Sequence, residues 1–327
     1  MSTAGQDLTG TTPASGPAPV AVVGAGMVGL GWAVIFTRAG HPVRLVDTRQ
    51  EALDRAPGAL AAMWADVEDG PVPDSTTFTL DLEHAVGDAV HVQECVLEDV
   101  GLKAEVFTRI AEATAPQTVI ASSTSALIPS SFTADVPGRE RTLVAHPFNP
   151  PHLHTAVELV PAPWTSHEAM ATTRALLAGA GMEPIELAQE LDGFVVNRLQ
   201  SAMIHEVFRL LGSGVVSAAD IDAAVRGALA PRWLALGVVE TIDLNAPAGI
   251  EDYVARYGGM YSRLAEVQRD PVDWQAVLDA GLAQERSATL PRERLDERRR
   301  WRDARLAAIA RFREADAAAG PWPPDAD

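Results

Sequence analysis

A run of spaced glycines directly after an apolar segment is the feature that most constrains the fold. Residues 19–23 (PVAVV) are β-branched and apolar, as in a buried strand, and the chain continues Gly-Ala-Gly-Met-Val-Gly. Gly24 permits a tight turn, Gly26 lets the backbone approach a pyrophosphate, and Gly29 allows the following helix to pack closely on the strand. The helix N-terminus offers N–H donors to phosphates. The pattern predicts a dinucleotide-binding fold.

An acidic residue at the end of the second predicted strand bears on which dinucleotide is bound. Asp47 lies 23 residues after Gly24, close to the spacing at which a carboxylate accepts hydrogen bonds from the adenosine ribose. A carboxylate there repels a 2′-phosphate, so NAD is favoured over NADP. Arg49 is close enough to weaken that preference, with a solvated charge at the helix start as the alternative. Met27 and Val28, at the helix N-terminus, complete the predicted cofactor contact. A glycine-rich turn without a ligand is the alternative.

Strand-like and helix-like patterns alternate through the first 190 residues. The predicted strands are 19–23, 42–47, 89–96, 118–123, 142–147, 156–161 and 183–187, and the predicted helices are 27–39, 50–68, 100–114 and 166–180. This alternation predicts an α/β Rossmann domain with a doubly wound, mostly parallel sheet. Beyond Asp192 no strand pattern returns, and 193–212 has the pattern of one long amphipathic helix.

The expected organisation is therefore a disordered tail at 1–18, an NAD-binding domain at 19–190 and an all-α domain at 191–327. The tail lacks the basic start and apolar middle of a signal peptide. The single cysteine, Cys95, cannot form an internal disulfide, which suits a reducing compartment, and we expect a cytoplasmic protein.

Composition disfavours several kinds of partner. A net charge of −18 leaves no basic surface for nucleic acid or an anionic membrane. No apolar run reaches the roughly 18–20 residues that a membrane-spanning helix needs. His152 and His154 form a His-x-His pair without a third ligand nearby, so no metal site is predicted.

Two further segments carry a family resemblance. Residues 146–150 read HPFNP, Glu158 follows inside the apolar run AVELV, and residues 192–199 read DGFVVNRL. With the glycine motif, these segments resemble the 3-hydroxyacyl-CoA dehydrogenase superfamily over nearly the whole chain. The resemblance implies a hydride transfer between a secondary alcohol and NAD.

The resemblance also implies a role for each matching residue. His146 is the general base, Glu158 orients its imidazole, and Ser125 and Asn197 hold the substrate oxygen. Histidine suits this task because its ordinary pKa is near neutrality, and a glutamate in an apolar strand needs a partner. A strand-end histidine bonded to a carbonyl is the alternative for His146, and turn chemistry is the alternative for Ser125.

Glu98 and Lys103 are implied to lie along the nicotinamide and its ribose. Glu98 has an acidic neighbour in Asp99, so a solvated surface charge remains open for it.

Residues in the helical half narrow the range of candidate substrates. Residues 231–233 (PRW) and 240–247 (ETIDLNAP) resemble the branch that contains λ-crystallin and L-gulonate 3-dehydrogenase. That branch implies that Arg232 binds the substrate carboxylate, for which a planar guanidinium is suited. A surface salt bridge is the alternative. Residues 51–74 carry six carboxylates and one arginine, which disfavours the polyanionic coenzyme A.

Three alternatives to L-gulonate oxidation stay open. L-Carnitine is also a 3-hydroxy carboxylate, and its quaternary ammonium would need an aromatic cage, for which Phe148, Trp233 and Tyr253 are candidates. A short-chain 3-hydroxyacyl-CoA dehydrogenase is the second alternative. A crystallin-like structural protein that only binds NAD is the third. The apolar helix 193–212 predicts a homodimer through the helical domain.

Overall fold

A computed structural model describes residues 17–317 of the chain. The apolar run at the first strand lies inside an eight-stranded sheet within this range. In chain order the strands are β1 (Val20–Val23), β2 (Val43–Val46), β3 (Thr76–Thr79), β4 (His91–Glu94), β5 (Val119–Ser122), β6 (Thr142–Pro147), β7 (Ala156–Pro161) and β8 (Glu183–Glu186). Their spatial order is β3-β2-β1-β4-β5-β6-β7-β8. All neighbours are parallel except β6 and β7, which confirms the predicted doubly wound sheet.

Helices cover both faces of this sheet. They are α1 (Met27–Arg38), α2 (Gln50–Trp64), α3 (Leu82–Val86), α4 (Val100–Ala113), α5 (Ser130–Thr133) and α6 (His167–Gly179). Val20 and Val22 face a core formed with α1, α2 and α6, whereas Ala21 and Val23 face a core formed with α3, α4 and α5. Burial of alternate side chains on opposite faces explains why β1 is continuously apolar.

The sequence does not predict β3, because its residues (TTFT) are mostly polar and only partly buried. β3 is an edge strand that pairs with β2 alone, so its residues need no apolar pattern. The predicted helix 193–212 is wrong at its start. Gly193 and Phe194 have φ values of 73° and 49°, in the left-handed region, so these residues form a turn.

Residues 196–298 form a second compact unit of helices. They are α7 (Val196–Gly212), α8 (Ala218–Ala224), α9 (Ala230–Asp243), α10 (Ile250–Val267), α11 (Trp274–Val277) and α12 (Ala283–Thr289). Within this unit only Thr241, Ala246 and Val277 are buried. The unit therefore lacks an extensive core within one chain.

The last helix, α13 (Leu295–Ala317), was expected in the helical domain, but from Arg299 onward it belongs to the sheet unit. Arg313 donates to Thr155 Oγ1 at 3.0 Å and to Glu183 Oε1 at 2.7 Å, beside the starts of β7 and β8. Polar contacts of this kind leave no periodic signal in the sequence. The predicted tail 1–18 lies outside the described residues except for its last two.

None of the helices between residues 17 and 317 combines the length and the apolar character that crossing a bilayer requires.

Candidate active site

The glycine motif connects β1 to α1 at the point where the strand order reverses. β1 pairs with β2 on one side and with β4 on the other, which is where doubly wound sheets bind nucleotides. Gly24 has a φ of 113°, and a Cβ added there would lie 2.7 Å from the carbonyl oxygen of Cys95. At Gly26 an added Cβ would meet no protein atom within 4 Å. A tight turn and an open approach to a helix N-terminus therefore fit a dinucleotide pyrophosphate.

The side chains around the motif agree with this placement. Met27, at the first turn of α1, is 54% exposed, whereas Val28 is half-buried. At Gly29 an added Cβ would collide with the carbonyl oxygen of Gly24, so only glycine lets α1 pack this closely.

Asp47 follows β2 and is anchored on both oxygens. Its Oδ2 accepts from the backbone N–H of Ala25 at 2.9 Å, and its Oδ1 accepts from that of Arg49, also at 2.9 Å. The carboxylate therefore stands beside the glycine turn, at the position that meets a ribose in this fold. The guanidinium of Arg49 lies 3.5 Å from Oδ1 and its side chain is 68% exposed.

His146 and Glu158 face each other across the antiparallel pair of β6 and β7. Nδ1 of His146 lies 2.8 Å from Oε2 of Glu158, and both side chains are buried. The second oxygen, Oε1, accepts from the backbone N–H of Val195 at 2.7 Å. The carboxylate is thus held at both ends, and because it occupies Nδ1, Nε2 is the ring nitrogen that can accept a proton.

Two phenylalanine rings enclose the imidazole. Phe148 approaches it edge-on with ring centroids 4.9 Å apart, and Phe194 lies 5.4 Å away. Phe194 comes from the left-handed turn before α7 and is fully buried. Packing of this kind fixes the ring plane and leaves few rotamers for the imidazole.

Ser125 is exposed in the loop that follows β5. Oε1 of Glu98 accepts from the backbone N–H groups of Ser125 and Ala126 at 3.0 and 3.1 Å, and from the hydroxyl of Thr124. Glu98 therefore shapes this loop rather than standing alone as a solvated charge. Its side chain is 40% exposed.

Lys103 lies in the interior, and its contact with the cofactor stays a prediction. Its side chain is 1% exposed, and its ammonium donates to both oxygens of Glu94 at 2.9 and 3.0 Å.

Glu94, the buried partner of Lys103, was not predicted from the sequence pattern. Glu94 ends β4, is fully buried, and accepts from the hydroxyl of Ser122 on β5. Burial raises its pKa, and the charge of Lys103 opposes that rise. A glutamate at the end of a buried strand, followed nine residues later by a lysine, was the available signal.

Cys95 is half-buried, with its Sγ 3.1 Å from Ser123 Oγ. Burial raises the pKa of the thiol, so it stays protonated near neutral pH. His152 contacts Asp66 at 3.3 Å, and no group suited to a metal ion occurs among the residues that the structure describes.

Asn197 and Arg232 belong to the helical unit. Asn197 is half-buried in the first turn of α7. Arg232 is exposed, and its Nε donates to the carbonyl oxygen of Ala228 in the preceding turn at 3.0 Å.

Comparison with known families decides the relationship. Residues 19–191 match the 3-hydroxyacyl-CoA dehydrogenase, NAD binding domain, and residues 193–283 match the C-terminal domain of the same family. The chain belongs to the 3-hydroxyacyl-CoA dehydrogenase family. It is accordingly an NAD-dependent oxidoreductase that acts on 3-hydroxy compounds, as the glycine motif and Asp47 predicted for the cofactor.

Relatives of this dehydrogenase extend over nearly its full length. The lambda-crystallin homolog of Bos taurus is 35% identical over 311 residues, which cover 91% of this chain and 97% of that protein. The L-carnitine dehydrogenase of Pseudomonas aeruginosa is 32% identical over 317 residues, covering 92% and 95%.

Among solved structures, the 5-formyl-3-hydroxy-2-methylpyridine 4-carboxylic acid 5-dehydrogenase, an NAD⁺-dependent dismutase, superposes with a TM-score of 0.78 at 25% identity. The match covers 90% of this dehydrogenase and 98% of that chain.

Proposed function

We propose that this enzyme oxidises the 3-hydroxyl group of a small 3-hydroxy carboxylic acid, with L-gulonate as the leading candidate. The observation that carries the proposal is the buried pair of His146 and Glu158, joined at 2.8 Å. An ionised Glu158 keeps the proton of the neutral imidazole on Nδ1 and directs the basic Nε2 outward. It also stabilises the imidazolium that forms when His146 takes the proton of the alcohol.

NAD, when bound at the glycine turn, supplies the acceptor for the hydride. The remaining roles belong to residues of the chain. Ser125 and Asn197 hold the substrate oxygen, and Arg232 binds the carboxylate. The exposure of Ser125, in a loop fixed by Glu98, supports its role, and the exposed guanidinium of Arg232 suits a carboxylate.

Charge on the segment after β2 favours a free acid over a coenzyme A thioester. Its carboxylates are Glu51, Asp54, Asp66, Glu68, Asp69 and Asp74. One of them has a cationic partner, since Arg38 pairs with Glu68 at 2.6 Å, and Asp66 lies 3.3 Å from the buried imidazole of His152. The others still oppose a ligand that carries several phosphate charges.

One observation favours L-carnitine as a second candidate. On α10 the ring of Tyr253 contacts those of Tyr257 and Tyr261, with centroids 4.9 and 6.2 Å away. The hydrogen bond with Tyr261 raises the pKa of Tyr253, and the charge of Arg232 is close enough to oppose that rise. A guanidinium beside tyrosine rings provides for both a carboxylate and a quaternary ammonium.

The test is NADH formation with a panel of L-gulonate, L-carnitine and 3-hydroxybutyrate, with acetoacetyl-CoA reduction measured in the reverse direction. We expect turnover of a free acid, and its near-complete loss in His146→Gln with NAD binding retained. His167→Gln, a surface change at the start of α6, is the matched control and should keep wild-type activity. Activity with acetoacetyl-CoA alone would overturn the free-acid proposal. No turnover of any of these compounds, with NAD still bound, would favour the alternative of a structural protein that only binds NAD.

We also propose that the enzyme is a homodimer through the helical unit. Large apolar side chains there are exposed in one chain, among them Leu199, Val239, Val254 and Val267 at 58–68%. A second copy covers such surfaces in a symmetric, self-complementary interface. Light scattering coupled to size-exclusion chromatography should give twice the chain mass, and a monomer mass would contradict the proposal.

A further inference from the structure

Lysine occurs once in this chain. Of the 26 cationic residues, Lys103 is the single lysine and the other 25 are arginines. It lies in the first turn of α4 and is 1% exposed. The single lysine of the chain is therefore buried inside the protein.

The ammonium is surrounded by oxygen atoms. Besides both oxygens of Glu94, the carbonyl oxygen of Val96 and the hydroxyl of Ser122 each lie 3.4 Å away. Glu94 is fixed in turn by the hydroxyl of Ser122 and the backbone N–H of Val96. The charge is thus neutralised and hydrogen-bonded in the core, as burial of an ammonium requires.

A second carboxylate connects this buried pair to the active-site loop. Oε2 of Glu98 lies 3.7 Å from the ammonium, while its Oε1 collects the donors of Thr124, Ser125 and Ala126. One carboxylate oxygen of Glu98 therefore faces the buried ammonium of Lys103, and the other accepts hydrogen bonds from the loop that carries Ser125.

A buried ion pair gives little net stability over an apolar pair of equal volume, because both groups lose their hydration. A compact ammonium can sit between two carboxylates where a planar guanidinium would be too large. We propose that Lys103 is a positioning residue: held by Glu94, its ammonium fixes the carboxylate of Glu98 and thereby the loop that presents Ser125. The inference rests on the proposed function of Ser125, but its geometry can be tested without turnover.

Lys103→Met keeps the stem and removes the charge. We expect amide hydrogen exchange at Ser125 and Ala126 to become about tenfold faster, because Glu98 no longer holds its acceptor geometry. With an active substrate, kcat should fall about tenfold while the KM for NAD changes less than about twofold. A large rise in the KM for NAD with unchanged loop exchange would instead assign Lys103 to direct cofactor contact and overturn the proposal.

Arg141→Met is the matched control. Arg141 is also a buried cation, but it donates to carbonyl oxygens at the other end of α4, including that of Ala111 at 2.8 Å. Its loss should lower thermal stability and leave exchange at Ser125 and Ala126 unchanged. If Lys103→Met behaves in the same way, its role is structural only and the proposal fails.

A second measurement leaves the lysine in place and covers a Lys103→Met protein that does not fold. Because the chain has one lysine, labelling with [ζ-¹⁵N]lysine gives one side-chain resonance. Glu98→Gln should shift that resonance, whereas Glu105→Gln, an exposed change on the same helix, should not. An unshifted resonance in Glu98→Gln would refute the link. Neither measurement needs turnover, so both remain decisive if no 3-hydroxy acid is oxidised.

Discussion

His91 should make the protein lose stability as the pH falls. It begins β4 between β1 and β5, is 1% exposed, and has its Nε2 3.0 Å from Oε1 of Gln93. Its Nδ1 is buried without a hydrogen-bond partner among the described residues. Protonation would place an unpaired N–H and a positive charge in the core, so burial lowers the pKa of His91 to about 4, against the opposing effect of Gln93.

The sign and size of the effect follow from linkage. An unfolded histidine has a pKa of about 6.5, so between pH 6.5 and 4 the unfolded chain binds more protons than the folded chain. Stability is therefore complete above pH 6.5 and declines as the pH falls towards 4. The full difference is about 3.4 kcal/mol, of which about 1.4 kcal/mol should already be lost at pH 5.5.

His91→Leu removes this dependence. Urea unfolding at fixed protein concentration, at pH 8 and pH 5.5, gives the change in unfolding free energy for each protein. The wild type should lose about 1.4 kcal/mol more than His91→Leu between the two pH values. Val92→Ala, a buried and non-titrating change on the same strand, should lose the same amount as the wild type. Equal losses in the wild type and His91→Leu would refute the reasoning, and any fixed cost of the leucine cancels in the comparison.

Three further outcomes test the site. Glu158→Gln should lower kcat by about 10³-fold with NAD binding retained, because an amide N–H facing Nδ1 favours the wrong tautomer; a loss below about tenfold would contradict the orienting role. Asp47→Ser should reduce the preference for NAD over NADP, measured as the ratio of kcat/KM values, by at least about tenfold, because the carboxylate that repels a 2′-phosphate is gone. An unchanged ratio would contradict the role of Asp47 in selecting NAD. Arg232→Leu should raise the KM for the free acid by about tenfold and leave the KM for NAD unchanged. An unchanged KM for the acid would contradict the proposal that Arg232 binds the substrate carboxylate.

Much of the sheet could be predicted because its signals are local. The apolar runs that became β1 and β5 are buried on both faces, and strands buried in this way are typically apolar along their length. The glycine motif was equally readable, since each glycine answers a local backbone requirement. β3 escaped prediction because an edge strand with one apolar residue carries no such pattern.

The polar interior could not be predicted, because its contacts join distant parts of the chain. The resemblance implied that Lys103 and Glu98 lie along the nicotinamide and its ribose, but the contact of Lys103 with Glu94 and that of Glu98 with the loop after β5 become visible only in the fold. In both cases a partner from another element decides the role. Pattern and spacing report the faces of single elements and do not report which polar groups meet between them.

The placement of His146 beside Glu158 follows from the one antiparallel pairing in the described sheet. Neighbouring parallel strands need a long crossover, whereas β6 and β7 are joined by a short connection that sets His146 directly opposite Glu158. Cross-strand partners of this kind point to the same face, so the imidazole and the carboxylate meet without any loop to position them. The backbone N–H of Val195, the last residue of the sheet unit before the chain enters the helical unit, donates to the other oxygen of Glu158. The segment that leads into the helical unit is therefore hydrogen-bonded to the carboxylate of Glu158. Changes in the turn at Gly193 and Phe194 should alter the imidazole of His146 through that bond and through the ring of Phe194.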